Sequence, residues 1–258
     1  MTEGARLVVE NMSVRYGGVA ALDDVSLTAQ AGQVTALIGP NGAGKSTMLA
    51  AISGLTKPVA GRVFVDGVDI TGRRPQEIFR KNVVRTFQAP QLVSGLSVRE
   101  HVVMAQRAAG SGNRLWRDLC GLGRAAGAGG ASAAADEVLD RMGLLPIGDS
   151  MVDSLPMGLR RLVEVAQAVS LRPSVLLLDE PSAGLDESET GDFAQAIADL
   201  CTSEKMAILL VEHDLELVLR LSSHIVVIDF GKFVDSGSPD QIRSSKLVQD
   251  AYTGSGLE

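Results

Sequence analysis

Two groups of residues in this chain have the types and spacing for phosphate chemistry. The first is Gly39-Pro40-Asn41-Gly42-Ala43-Gly44-Lys45-Ser46-Thr47, which fits the pattern of two glycines four residues apart followed by Lys and Ser or Thr. Glycines let the backbone wrap around phosphate oxygens so that successive N–H groups point inward as a nest. A helix expected from Lys45 onward adds the partial positive charge of its N-terminus. The Lys45 ammonium is suited to the β- and γ-phosphates and the Ser46 hydroxyl to Mg²⁺. The second group is Asp179-Glu180, delivered by the apolar run Val175-Leu176-Leu177-Leu178. A strand ending in two carboxylates presents them where open α/β sheets bind ligands. Asp179 is suited to hold Mg²⁺ through water and Glu180 to polarise an attacking water.

Both groups need strands and helices to hold them. Val34-Thr35-Ala36-Leu37-Ile38 reads as a buried strand leading into the phosphate loop, and Ser46 to Ser53 as the helix leaving it, stopped near Gly54. Leu7 to Glu10, Ser13 to Tyr16 and Val25 to Thr28 are short β-like runs before the loop, and Gly61 to Gly67 holds another after it. Pro75 opens a short helix through Arg80. From about Ser97 to Met142 the pattern turns helical: Ser97 and Glu100 form a capping box for a helix Val98 to Arg107. Gly110 to Ala135 is rich in Gly and Ala, with Leu115 and Trp116 as its large anchors, and reads as an insertion with one short helix. Ala207 to Val211 and Ile225 to Ile228 join Val175 to Leu178 as strands separated by helical stretches, the signature of βαβ units and a mainly parallel sheet. Phe230 to Phe233 reads as a hairpin turn, and Ser238-Pro239 as the cap of a C-terminal helix.

Composition narrows the function classes. Apolar residues make up 45% of the 258, mostly Ala, Val and Leu, which suits buried parallel strands. The net charge of −7 argues against a long-range field for nucleic acid. The two cysteines, Cys120 and Cys201, and the three histidines match no metal-ligand spacing. No stretch approaches the ~20 apolar residues of a membrane-spanning helix. Met1 to Arg6 lacks the layout of a signal peptide, so a cytoplasmic protein is expected.

The order of these motifs resembles the ATP-binding cassette ATPases, the nucleotide-binding subunits of ABC transporters, over essentially the whole chain. The resemblance implies a P-loop NTPase core of α/β class with a mainly parallel sheet, an N-terminal antiparallel β subdomain and an inserted α-helical subdomain. The insert is expected at about 89–163, within a core of 1–88 and 164–258. It also implies roles for further residues. Tyr16 matches the aromatic position that stacks on adenine. Gln88, in Arg85-Thr86-Phe87-Gln88, matches the Q-loop glutamine that reaches Mg²⁺ or the attacking water. His213 matches the switch histidine on the γ-phosphate, and Asp186, in Ala183-Gly184-Leu185-Asp186, belongs to the D-loop that crosses to a partner subunit. The cofactors implied are ATP and Mg²⁺, the latter held by Ser46, Gln88 and Asp179. Catalysis is expected from Glu180, His213, Gln88 and Lys45.

The family's Leu-Ser-Gly-Gly-Gln signature aligns with Leu155-Pro156-Met157-Gly158-Leu159, which lacks the serine hydroxyl and the glutamine amide. Backbone N–H groups of Met157 and Gly158 and the N-terminus of a helix through Ala166 remain for anion binding in trans, with Pro156 in its first turn. Arg15 to Leu22, Val84 to Gln88, Glu180 to Asp186 and Gly237 to Ile242 are similar to the ATPases of branched-chain amino-acid importers. That resemblance implies a second ATPase subunit, transmembrane permease subunits, a periplasmic or lipid-anchored solute-binding protein, no nucleic acid, and a place on the inner face of the membrane. The rival readings are an exporter ATPase of the lipopolysaccharide type and a soluble ATP switch outside transport.

Overall fold

The computed structural model describes residues 4–86, 92–110 and 128–254. These form two compact units, one of Met1–Arg85, Pro173–Glu180 and Ala198–Glu258, the other of Thr86–Arg172 and Pro181–Ile197.

The first unit holds two sheets. β1 (Ala5–Tyr16), β2 (Val19–Gln30), β4 (Ala60–Val65) and β5 (Val68–Asp69) make an antiparallel sheet in the order β2-β1-β4-β5. The short β-like runs expected here prove to be two long strands. Asn11 (φ 48°) and Asp24 (φ 61°) interrupt the alternation at bulges, and the Asn11 Nδ2 donates to Asp24 Oδ1 at 2.8 Å across the pair. A bulge breaks the two-residue period without ending the ladder.

The second sheet has the order β10-β9-β3-β8-β7-β6, with β3 (Val34–Ile38), β6 (Val83–Arg85), β7 (Val175–Asp179), β8 (Ala207–Val211) and β9 (His224–Asp229) parallel and β10 (Lys232–Gly237) antiparallel at one edge. Its central strands face apolar matter on both sides. Leu37, Val226 and Ile228 belong to a cluster shared with Leu7, Leu22 and Met48. Their neighbours Ala36, Ile225 and Val227 belong to a second cluster with Val218, Ile242 and Val248. Successive side chains of a strand point to opposite faces, so burial on both faces demands the unbroken apolar runs seen in the sequence. Helix α1 (Lys45–Ile52) contributes Met48, Leu49 and Ile52 to the first cluster. On the other face lie the C-terminal helices. The expected one is Pro239–Ser244, closed by a Ser238–Gln241 capping box, and a second, Lys246–Gly254, follows it unforeseen.

The second unit is mainly helical. The helix Val98–Gly110 starts at the expected box: Ser97 N–H donates to Glu100 Oε2 at 2.8 Å and Glu100 N–H to Ser97 Oγ at 3.2 Å. Ala128–Arg141 is one helix, longer than the short one expected in the Gly/Ala-rich stretch; Leu115, Trp116 and Cys120 lie outside the described residues. Met157–Ser170 follows, and Glu187–Ser203 begins in this unit.

Candidate functional site

The phosphate loop joins the central strand β3 to α1. Gly39 (φ 154°) lies so close to Ile228 that a Cβ there would stand 2.0 Å from the Ile228 carbonyl oxygen, and at Gly44 (φ 104°) one would stand 2.5 Å from that of Ala21. Any side chain at either position would push the loop off the sheet. The first turn of α1 carries no acidic residue and no side-chain cap, so its N–H groups and dipole face outward for an anion. Lys45 is buried, and its Nζ donates to the Gly39 carbonyl at 2.7 Å and the Pro40 carbonyl at 2.9 Å. Burial lowers its pKa, while the charges of Glu180 and Asp179 act in the opposite sense.

β7 ends at Asp179, 1% exposed, whose Oδ2 lies 3.0 Å from Arg85 Nη2. Burial pushes the Asp179 carboxyl upward; the Arg85 hydrogen bond and charge hold it down, and the Glu180 charge adds to the rise. Arg85 also donates to Ser53 Oγ at 3.3 Å, tying the carboxylate to the residue that ends α1. Glu180 stands in the left-handed region (φ 51°), rare for a residue with a side chain. It is held there by its N–H on the Val211 carbonyl at 2.9 Å. Its Oε1 meets His213 Nε2 at 2.7 Å. Asp214 caps the next helix, Leu215–Leu221, through Glu216 N–H and Leu217 N–H, which fixes the turn that carries His213. The expected residues Gly39–Thr47, Asp179, Glu180 and His213 thus share the C-terminal edge of one sheet. Gly39, Pro40, Asn41 and His213 line an open cleft of about 310 Å³ there, together with Tyr252.

Tyr16 stands at the β1–β2 turn, half exposed, its hydroxyl 2.9 Å from Thr56 Oγ1. Gln88 lies outside the described residues.

In the second unit, Leu155 and Pro156 are extended and the helix begins at Met157. Pro156 is therefore the N-cap and not, as expected, a first-turn residue. It offers no side-chain oxygen to the free N–H groups, and the segment is secured by a different residue. Arg160 Nε donates to the Leu155 carbonyl at 3.0 Å and Arg160 Nη2 to the Asp153 carbonyl at 2.6 Å. The Asp153 carboxylate in turn accepts Gly95 N–H at 2.8 Å. Gly158 touches the Ala183–Asp186 turn: a Cβ there would stand 2.8 Å from the Gly184 carbonyl oxygen. Asp186 exchanges bonds with Glu189, N–H to Oε2 at 2.9 Å and Oδ1 from Glu189 N–H at 2.8 Å, which makes it the cap of Glu187–Ser203.

Sequence reasoning missed Arg85 and Arg160 as parts of these arrangements. Arg85 sits inside a quoted motif, yet nothing local announces a partner at Asp179. Arg160 had a signal, since the carbonyls of the extended segment before a helix opened at Pro156 lie within reach of a long donor in its first turn.

Comparison with known proteins agrees with this geometry. The pattern that defines the family "ABC transporter" matches residues 22–183. The chain is 36% identical to the high-affinity branched-chain amino acid transport ATP-binding protein BraF of Pseudomonas aeruginosa over 252 residues, 96% of this chain and 97% of that one. It is likewise 36% identical to LivG of Escherichia coli K12, described in the same words, over 253 residues, again 96% and 97%. A crystallised ATP-binding cassette of an ABC transporter in its ADP conformation superposes with a TM-score of 0.83 at 30% identity, covering 97% of this chain and 99% of the other. Neither an exporter subunit nor a soluble switch is favoured by these relatives. With the phosphate loop, the paired carboxylates and the histidine on one sheet edge, the chain belongs to the ABC transporter family, as an ATP-binding subunit that hydrolyses ATP.

Proposed function

We propose that this chain drives an importer of branched-chain amino acids or related small polar solutes, working as a pair with a second copy or a similar chain. The relatives BraF and LivG are the support for the substrate class. In this reading the pair sits on transmembrane permease subunits at the inner face of the membrane, and a solute-binding protein delivers cargo from outside. Among the described residues no helix is long and apolar enough to cross a membrane, so a permease must supply the path.

The observation that carries the catalytic reading is the 2.7 Å contact between Glu180 and His213 beside the phosphate loop. ATP seats its phosphates on the N–H groups of Gly39–Thr47, with Lys45 at the β- and γ-phosphates and Tyr16 against the adenine. Leu155, Pro156, Met157, Gly158 and Leu159 of the partner subunit close over the γ-phosphate, with Asp186 beside them. Glu180 orients the water for in-line attack, and His213 meets the charge that develops on the γ-phosphoryl oxygens.

A divalent cation fits these residues by donor chemistry. Ser46 and Asp179 offer hard oxygen ligands, and the Asp179 charge is felt at Lys45, on the phosphate loop. Mg²⁺ is commonly held by one or two protein oxygens, with phosphates and water completing its octahedron, and Gln88 is the third residue suited to it. Mg²⁺ when bound neutralises phosphate charge. The groups of this chain do the rest: Lys45 holds the phosphates, Glu180 the water, and His213 the departing charge.

Glu180→Gln keeps the hydrogen-bonding shape and removes the charge. It should bind ATP as the parent does and lose at least about 10²-fold in turnover, the usual reach of a general base. Phosphate release and ATP titration on the same preparation decide the matter. Parental turnover by Glu180→Gln would refute the role given to Glu180.

A further inference from the structure

Strand register places the buried pair of Arg85 and Asp179. β6 and β7 run parallel, with Arg85 opposite Leu177. Residues two apart on a strand share a face, so Arg85, Leu177 and Asp179 stand on one side of the sheet. Leu177 lies in the same apolar cluster as Leu49 and Ile52 of α1, so that side is the one α1 covers. A long cation and a carboxylate thus meet beneath the helix that leaves the phosphate loop.

The guanidinium is aimed by two partners. Its Nη2 donates to Asp179 Oδ2 at 3.0 Å and its Nη1 to Ser53 Oγ at 3.3 Å. Ser53 Oγ donates in turn to the Leu49 carbonyl at 2.7 Å, so its proton is committed to the helix and its oxygen is left to accept from Arg85. The two charged side chains are 11% and 1% exposed. A guanidinium is planar and stiff, whereas the terminal torsion of an aspartate is broad. Anchoring the arginine at both nitrogens therefore fixes the plane of the carboxylate. Stability gives little reason to keep this arrangement, because a buried ion pair often does no better than apolar groups of the same size. On the proposed function, Asp179 is the carboxylate that serves the cation bound with the nucleotide.

We propose that Arg85 is a positioning residue of the ATP site, holding Asp179 in the plane and place from which its carboxylate serves the divalent cation. The proposal rests on the assignment of Asp179 to that cation. Its action is through Asp179, so losing it weakens the metal and leaves metal-free ATP to the loop N–H groups and Lys45.

The test compares Arg85→Met, Arg85→Lys and Asp179→Asn, each on the Glu180→Gln background so that ATP is bound without turnover. Mn²⁺, which takes the same oxygen ligands as Mg²⁺, is titrated into the ATP-saturated protein and its free fraction read by EPR. Groups that orient a metal ligand are worth about 10- to 100-fold in metal affinity. Arg85→Met should therefore raise the Mn²⁺ Kd about 10-fold or more, with the ATP Kd in EDTA unmoved. Arg85→Lys keeps the charge, which spares the fold, and loses one of the two grips; its Mn²⁺ Kd should rise about 2- to 10-fold. Asp179→Asn should weaken Mn²⁺ at least as far as Arg85→Met, and adding Arg85→Met to it should change the Mn²⁺ Kd no further. A parental Mn²⁺ Kd in Arg85→Lys overturns the proposal. So does a lowered Tm in Arg85→Met with the Mn²⁺ Kd unmoved, which would make Arg85 a brace of the fold only. Asp179→Asn separates the two levels. If it binds Mn²⁺ like the parent, the assignment of Asp179 fails; if it loses Mn²⁺ while the arginine variants do not, only the role of Arg85 fails.

Discussion

Replacing Gly158 by Ala adds one methyl group where the Leu155–Leu159 segment meets the Ala183–Asp186 turn. That methyl would stand 2.7 Å from Leu185 Cδ2 and 2.8 Å from the Gly184 carbonyl oxygen. The leucine end can rotate away. The carbonyl is backbone, in a glycine already at φ 90°, so it yields only if the turn moves. Overpacking of this kind costs about 1–3 kcal/mol. Opposing it, Ala is favoured over Gly in a helix by at most ~1 kcal/mol. The net loss is then about 0–3 kcal/mol, or no more than about 12 °C in Tm for a chain of this size. The larger effect falls on turnover. Restoring an ordinary contact shifts the turn or the helix start by about half an ångström, and misplacement on that scale costs about 10-fold in kcat. Phosphate release at saturating ATP, measured beside thermal melting, tests both numbers. Parental kcat with parental Tm in Gly158→Ala would show that the close approach has no consequence and would refute the reasoning.

Arg85→Ala strips a buried carboxylate of its cation, and losing one partner of such a pair costs about 3–5 kcal/mol while the other stays charged. Burial already raises the pKa of Asp179 above its unfolded value, so the folded state holds its proton to higher pH than the unfolded state, and stability falls as pH rises. Without Arg85 that rise is larger; the deficit of the variant should shrink at pH 5 relative to pH 8 in urea titrations, and a deficit equal at both would contradict this account. Cys201 is buried, its Sγ donates to the Met206 carbonyl at 3.1 Å, and burial pushes its thiol up to about 12. Peptide mapping after iodoacetamide at pH 8 should find it unmodified in the native protein and alkylated after unfolding. Between pH 9 and about 12 the unfolded thiol ionises and the folded one does not, so this residue's contribution to stability is lost across that interval.

The parallel sheet was readable because burial on both faces leaves an unambiguous mark: Val34 to Ile38 and Ala207 to Val211 have no polar residue but Thr35. The antiparallel strands were cut short in reading because Asn11 and Asp24 look like turn residues, and only the paired strand shows that they are bulges. The helix Lys246–Gly254 was invisible, since its nine residues span too few turns for a period to stand out, and its burial depends on β3 and β9, over two hundred positions earlier and twenty positions earlier respectively in part. The carboxylates and the phosphate loop were legible from local spacing, and His213 from the family resemblance, since it lies 33 residues from Glu180. The Arg85–Asp179 pair was not, because its members are 94 residues apart and no local pattern encodes a partner at that distance.

Lys45 spans the Gly39 and Pro40 carbonyls with its own ammonium. A loop built from glycines would ordinarily have to be ordered by its ligand, which lowers affinity by the entropy of that ordering. Here the ordering is done during folding, by a side chain of the loop itself. On the proposed function, the arriving triphosphate meets a receptor already in shape, and the free energy of its binding is left for changes elsewhere in the transport cycle.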